Sequence, residues 1–503
     1  MIVCPNCGAN LKFNPKSQKM YCGFCESEFD PKQFDIDNDA EEQKPVSEEY
    51  GNEEAQKEEG LEDSFDATVF TCPQCGGEIM SVDENTVAAF CSFCGASTIL
   101  SARLVKGKRP EYIIPFEKTK EDCKGAYRKV ISRALFLPKE YKSEEYIDGF
   151  RGIYMPYWAY DVMQSGQVNL YGERSHRSGD YILTDHYSLT GNIDAQYKGL
   201  SYDAASSFSD VISEALGPFD ISKRVPFETS YMSGFYADIA DVDKGVYSGD
   251  AAAFCYEESL SRITAETPEF RKYKVKEGGE RGKSYPGRAF SSKTVGWHES
   301  LYPVWFLSYR NGDRVTYATV NGQTGKVVAD LPVDIKKYLI ASGVMAVIIF
   351  VLLNTFLVLK PSNLLLIAVF LTAIVLMINL SQWKSIGNIE KGVGDKGLQY
   401  INRKKTSAKG GKKNNNTPES VTESDAVREY KGTAASVAGI ISVVISLIMI
   451  FFLKTVSDVP YYLLTIADAV IFGILFRYTL LYYNLIATRK LPQFNRQGGD
   501  DRA

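Results

Sequence analysis

Eight cysteines carry the chemistry this sequence offers. Cys4-Pro5-Asn6-Cys7 and Cys22-Gly23-Phe24-Cys25 are two CxxC knuckles with 14 residues between them. Cys72-Pro73-Gln74-Cys75 and Cys91-Ser92-Phe93-Cys94 repeat the arrangement with 15 between. Two such turns at this distance can set four thiolates tetrahedrally around one Zn2+. The spacing predicts two structural zinc sites, one on Cys4, Cys7, Cys22 and Cys25, the other on Cys72, Cys75, Cys91 and Cys94. Four cysteine ligands leave no open position for water, so neither Zn2+ is expected to be catalytic. A glycine after a knuckle, as at Gly8, Gly76 and Gly95, lets the backbone turn while its N–H groups approach the sulfurs. A redox CxxC would instead be a single motif beside a βαβ unit.

Other chemistry finds little support. His176, His186 and His298 are the three histidines, and they are scattered. Gly282-Lys283-Ser284 has the tail of a phosphate-binding P-loop, but Glu277 stands where the motif needs its first glycine. No Ser-His-Asp grouping, paired-carboxylate motif or dinucleotide fingerprint stands out. The chain reads as a binding protein, not an enzyme.

What must hold these knuckles in place is an anchor. Four apolar runs, Leu339–Leu359, Leu364–Leu380, Ala434–Leu453 and Tyr461–Tyr483, approach or reach the roughly 20 residues a bilayer crossing needs. Short turns join the runs within each pair, and a long loop rich in lysine and arginine joins the pairs. Lys336 and Lys337 precede the first run, and Arg489, Lys490 and Arg496 follow the last. Basic residues collect on the cytoplasmic side, so both termini, the middle loop and everything before Lys336 are expected in the cytoplasm. Met1-Ile2-Val3-Cys4-Pro5 does not open a signal peptide. A reducing compartment then leaves the cysteines to metal rather than to disulfides. Inside the last run Asp468 is expected to meet polar groups such as Asn354. Ala435, Gly439, Ser442 and Ser446 form a small-residue stripe suited to close helix contact.

The chain of 503 residues, with net charge −5, divides into a first zinc ribbon (1–34), a disordered acidic linker (35–66), a second ribbon (67–106), a cytoplasmic α+β domain with antiparallel sheets (107–335), two transmembrane helices (336–383), a basic loop (384–431), two more transmembrane helices (432–488) and a tail (489–503). In the α+β domain, Thr119 and Asp122 form a capping box for a helix with Cys123, Ala126, Tyr127, Val130, Ile131 and Ala134 on one face and Pro138 as its stop. Further helices are expected over Asp203–Leu216 and Asp250–Ile263. Tyr181 to Tyr197 alternates apolar and polar residues, the period of a strand with one covered face. Leu301-Tyr302-Pro303-Val304-Trp305-Phe306 echoes the segment from Tyr154 to Tyr160, as if the two opened equivalent halves of a sheet. Asn311-Gly312 and Asn321-Gly322 mark hairpins of a closing meander.

Paired CPxC ribbons, Tyr154-Met155-Pro156-Tyr157-Trp158, the stretch from Pro226 to Asp238 and Tyr302-Pro303-Val304-Trp305 before a C-terminal anchor resemble bacterial TFIIB-type zinc-ribbon membrane proteins. The likeness runs from about Met1 to Leu380, and its most specific part is Phe227–Asp238. Members of that group are similar to membrane adaptors working beside flotillin-like (SPFH) proteins and phage-shock-type, ESCRT-III-like coat proteins. The resemblance implies a non-enzymatic adaptor or scaffold that recruits cytoplasmic protein to the membrane in envelope-stress response or membrane maintenance. The alternative is a membrane-bound regulator or nucleic-acid-associated factor using the ribbons. Charge speaks against nucleic acid: Lys12, Lys16 and Lys19 are offset by Glu26, Glu28 and Asp30, and Glu78, Asp83 and Glu84 follow. Nothing in the sequence sets an oligomeric state.

Overall fold

The computed structural model describes residues 2–34, 64–82, 91–96, 101–266, 274–277, 290–356, 359–408, 432–453 and 457–492. The acidic linker up to residue 63, the Gly282-Lys283-Ser284 loop and the lysine-rich stretch from Lys409 to Lys413 lie outside the described residues.

The first ribbon is a three-stranded sheet of β1 (Leu11–Asn14), β2 (Lys19–Cys22) and β3 (Glu28–Phe29). The second contributes β4 (Ser64–Thr71), β5 (Glu78–Ser81) and β6 (Ser101–Lys108). It does not stand apart. Its strands belong to a 13-stranded mixed sheet with β7 (Tyr112–Ile113), β8 (Arg151–Ser178), β9 (Tyr181–Asp203), β10 (Val225–Pro226), β11 (Tyr236–Ala237), β12 (Lys274–Glu277), β13 (Ser291–Asn311), β14 (Arg314–Asn321), β15 (Val327–Ala329) and β16 (Arg489–Lys490). The junction is β11, parallel to β8 and antiparallel to β5, where Ala237 faces Met80.

The spine is the antiparallel pair β8–β13, in register from Arg151 opposite Phe306 to Ser165 opposite Ser291. The two echoing aromatic segments are neighbours on this ladder, with Pro303 opposite Tyr154 and Tyr302 opposite Met155. They therefore form one buried centre and do not open separate halves. Asn311-Gly312 makes the expected tight hairpin, with Gly312 at φ 62°. Asn321-Gly322 opens the longer turn of the β14–β15 hairpin, closed by Asn321 N donating to Lys326 O, and Gly322 also makes room for the Phe116 ring, 2.6 Å from where a Cβ would lie.

Helix α1 (Lys120–Ile131) begins with the capping box: Asp122 N donates to Thr119 Oγ1 at 3.3 Å and Thr119 N to Asp122 Oδ2 at 3.0 Å. A single turn, α2 (Glu144–Ile147), follows. The helix expected from Asp203 starts only at Asp210, as α3 (Asp210–Leu216). The reason lies in Ala204, whose N–H donates to Pro156 O while its carbonyl accepts from Asp241 and Val242. That carbonyl is spent on tertiary bonds and cannot accept a first intrahelical bond, so no helix starts there. Helix α4 (Ser248–Glu266) covers β8 and β9 from Trp158, Tyr160 and Leu200, which pack with Ala251 and Cys255, as far as Leu189 and Ile193 beside Tyr256. Beyond it the β8–β9 hairpin stands clear, and Tyr181, Ile182, Leu183 and Tyr187 are exposed. The one-sided burial expected along Tyr181–Tyr197 thus ends where the covering helix ends.

The C-terminal part holds α5 (Ile335–Phe356), α6 (Pro361–Glu390), α7 (Lys396–Ala408), α8 (Thr433–Phe451) and α9 (Val459–Ile486). Of these α5, α6, α8 and α9 are long and apolar enough to cross a membrane. α6, α8 and α9 pack together through Val369, Met449, Leu376 and Leu475, whereas the apolar stretch of α5 buries nothing. The basic loop is structured at its start. Lys396 N donates to Asp210 Oδ2 at 2.8 Å, its ammonium pairs with Asp250, and Tyr400 of α7 packs beside Trp158 and Tyr247.

One side chain locks the sheet to the helix ends. Arg314, at the start of β14, is buried. It donates to Glu390 at the end of α6 (2.9 Å), to the Leu485 carbonyl in the last turn of α9 and to the Thr488 carbonyl just after it (2.7 Å each). Carbonyls at a helix C-terminus have no partner within the helix, and a cation there also meets the negative end of its dipole. We expect Arg314→Ala to destabilise this joint by about 3–5 kcal/mol, because Glu390 stays buried after losing the guanidinium that donates to it. Hydrogen exchange at residues 485–491 should rise markedly in the variant. Unchanged protection there would show that the clamp is not needed.

Candidate metal centres

Each cysteine is placed by a knuckle turn that closes on itself. Gly8 N donates to Cys4 O (2.8 Å), Gly76 N to Cys72 O (2.9 Å) and Gly95 N to Cys91 O (3.0 Å). These three glycines have φ between 69° and 76°, a region L-residues avoid. The fourth knuckle keeps the turn, with Glu26 N donating to Cys22 O, but puts Glu26 itself at φ 59°. The first ribbon therefore carries a strained Glu26 at the knuckle position that Gly95 fills in the second.

The four sulfurs of each set lie within 4.8 Å of one another. Closest approaches are 3.5 Å for Cys4–Cys25 and Cys7–Cys22, 3.8 Å for Cys72–Cys94 and 3.6 Å for Cys75–Cys91. A tetrahedral ion with metal–sulfur bonds of about 2.3 Å needs sulfurs about 3.8 Å apart. Both cages fit such an ion. Crowding makes the same point electrostatically: contact with Cys72 pushes the Cys75 and Cys91 thiols well above the ordinary cysteine value. Four thiolates can share that space only around a cation, so metal binding must expel protons.

The two cages differ in what surrounds them. All four cysteines of the second are buried. Its knuckle residue Phe93, 1% exposed, packs edge-on against Phe306, and its carbonyl accepts the Tyr317 hydroxyl at 2.7 Å. Phe70 meets Tyr236, and Leu491, just after α9, packs on the same cluster. In the first cage Cys4 and Cys22 are buried while Cys7 and Cys25 are exposed. Phe24 occupies the position equivalent to Phe93, yet it is 82% exposed.

The first ribbon nevertheless docks by its other end. Phe13 N donates to Ser233 O (3.1 Å), Ser233 Oγ to Leu11 O (2.6 Å), and the Phe13 and Tyr231 rings lie 5.2 Å apart. Phe227 packs on Phe65 of the second ribbon. The stretch from Phe227 to Asp238 is thus the seat of both ribbons. Sequence reasoning singled that stretch out without assigning it a role. The available signal was the alternation of Leu11 and Phe13 on a strand too short to have its own core.

The remaining sequence candidate, Asp468 of α9, is fully buried. It accepts from Ser442 and from Ser446 (2.9 Å) on α8. Two members of the expected small-residue stripe thus satisfy the carboxylate. The Asn354 side chain lies outside the described residues. Arg477 is exposed on another face.

The chain is similar to an uncharacterized protein of Bacillus subtilis (strain 168), YdjG, with 27% identity over 335 residues, or 66% of this chain and 89% of that protein. Neither a protein-family model nor a solved structure matches the chain.

The difference in burial sets an order of metal loss. A chelator should remove one ion per chain quickly, from Cys4, Cys7, Cys22 and Cys25, and a second only with opening of the sheet. Cys22→Ser should abolish the fast phase and leave the body folded. Cys91→Ser should lower the body's stability by about 3 kcal/mol or more, as expected when a buried metal is lost. Metal release followed with a chromogenic chelator, beside thermal unfolding, checks this. A single phase in the wild type would contradict it.

Proposed function

We propose that this protein is a membrane-anchored zinc-ribbon adaptor that recruits a cytoplasmic protein to the membrane. Both Cys4 cages hold Zn2+ in this reading, since a closed set of four thiolates at these separations suits a structural zinc ion. The four apolar helices span the bilayer, with both termini, the body and the α6–α8 loop on the cytoplasmic side. The distribution of lysine and arginine at their ends supports that orientation. The likeness to bacterial TFIIB-type zinc-ribbon membrane proteins points to a flotillin-like or ESCRT-III-like coat component as the recruited partner, in envelope stress or membrane maintenance.

The observation that carries the reading is the unequal use of two like modules. The second knuckle seats Phe93 among aromatic side chains of the body and so serves the fold. The first presents Phe24 to solvent beside exposed Pro5, Gly23 and Cys25. An exposed aromatic on a metal-tied turn is a low-entropy anchor for a protein partner. Holding it at the membrane raises its effective concentration towards other membrane-bound proteins.

Removing residues 1–104 would also strip β4 and β5 from the body, so a point variant is the better probe. We expect Phe24→Asp to keep two zinc ions and membrane insertion while losing at least tenfold of the partner that co-purifies with the wild type from native membranes after crosslinking. If both proteins retain the same partners, the first knuckle is not the recruiting surface. Capture of DNA or RNA with a steep salt dependence would replace the adaptor reading with the nucleic-acid one.

Orientation has its own test. Single cysteines at Asn363 and Ser457 should react with a membrane-impermeant thiol reagent in intact cells, and one at Asn415 should not. The reverse pattern would invert the topology.

A further inference from the structure

Between the second ribbon and the body lies a cleft of about 500 Å3 that serves neither cage. Lys120 at the start of α1, Arg151 at the start of β8, and Ser308 and Arg310 near the end of β13 line it, with Gly95 of the knuckle at one side. Ser308 Oγ is buried and has no hydrogen-bond partner among the described residues. It lies 3.6 Å from where a Cβ on Gly95 would be, so knuckle and hydroxyl share this space. A buried hydroxyl left unpaired is unfavourable by about 1–3 kcal/mol, which marks a place where a ligand atom would be welcome.

Charge in the cleft is unbalanced. Among the described residues no carboxylate lies within ion-pair distance of Lys120 or Arg310. Arg310 spends two donors on Gly312 O and Gln74 Oε1. The Arg151 guanidinium stacks over Tyr236 at 5.8 Å. Burial lowers the Lys120 pKa, and the neighbouring charges of Lys124 and Arg151 lower it further. The acids at the cleft are Asp148, already bonded to Lys124 at 2.7 Å, and Glu145. Among the described residues Lys120 and Arg310 thus have no carboxylate of their own.

We propose that this cleft binds a phosphate group, held by Lys120, Arg310 and the Ser308 hydroxyl with Arg151 behind them. Planar guanidinium and ammonium donors around one small polar pocket are the chemistry phosphate oxygens require. The position offers a source. Arg310 pairs with Val315, and Val315 with Arg489, three residues past the end of α9. Two strand spacings put Arg310 roughly 10 Å from Arg489, and so towards the side from which the last apolar helix leaves the bilayer in the proposed topology. A phosphomonoester lipid or a soluble phosphomonoester would present the same group.

The test uses the full chain in nanodiscs. One arm compares phosphatidylcholine discs with and without phosphatidic acid, counting retained lipid by native mass spectrometry. The other titrates glycerol 3-phosphate into phosphatidylcholine discs by calorimetry. One phosphate ligand per chain is expected, weakened roughly tenfold or more by Lys120→Ala with Arg310→Ala and severalfold by Ser308→Ala. Both variants must keep two metal ions and the wild-type melting temperature. Lys120→Glu, a charge reversal away from the knuckle, replaces the double variant if that protein fails to fold. Binding only in the first arm assigns a lipid headgroup, and only in the second a soluble ligand. No binding in either arm, or full affinity in a folded Lys120 variant, overturns the proposal.

Discussion

The buried tetrathiolate of the second ribbon is the constraint on which the rest of the structure depends. A knuckle whose sulfurs are fixed around one point cannot adapt its shape, so the surface that receives it must be built to fit. Here that surface comes from distant parts of the chain. Phe306 of β13, Tyr317 of β14, Tyr236 of β11 and Leu491 after the last apolar helix all close on it. Fixing four sulfurs therefore also fixes the order of the sheet and the exit of the last helix.

Arg314 performs the same task with charge. A buried guanidinium is tolerable only when its donors are met, and the partners that meet them lie at the ends of α6 and α9. Sheet and helices then behave as one body where Arg314 sits, and Lys396 on Asp210 and Asp250 adds a second attachment. By contrast α5 makes almost no apolar contact with the other helices, so its anchoring is of a looser kind.

Two ribbons of near-identical spacing end in different environments because their flanks differ. β4 and β5 continue into the body's sheet through β11, which draws the second knuckle inward. β1 to β3 form a closed sheet of their own and dock by the edge away from the knuckle. Position in the fold, not the motif, decides which phenylalanine is core and which is surface.

The sequence by itself determined everything governed by short-range spacing. The CxxC pairs specify two metal cages, because four ligands at such intervals have one economical geometry. The apolar runs specify four long helices, and Thr119 with Asp122 specifies the start of α1, because hydrogen bonds three residues apart settle it. The tertiary structure alone decided what depends on long-range contact. Ala204 loses its expected helix because its carbonyl accepts from Asp241 and Val242, and Gly322 answers to the Phe116 ring as well as to its turn. Pro303 finds Tyr154 beside it. The stretch from Phe227 to Asp238 becomes the seat of both ribbons. None of these follows from local pattern, since each is set by a partner tens to hundreds of residues away whose position only the folded chain defines.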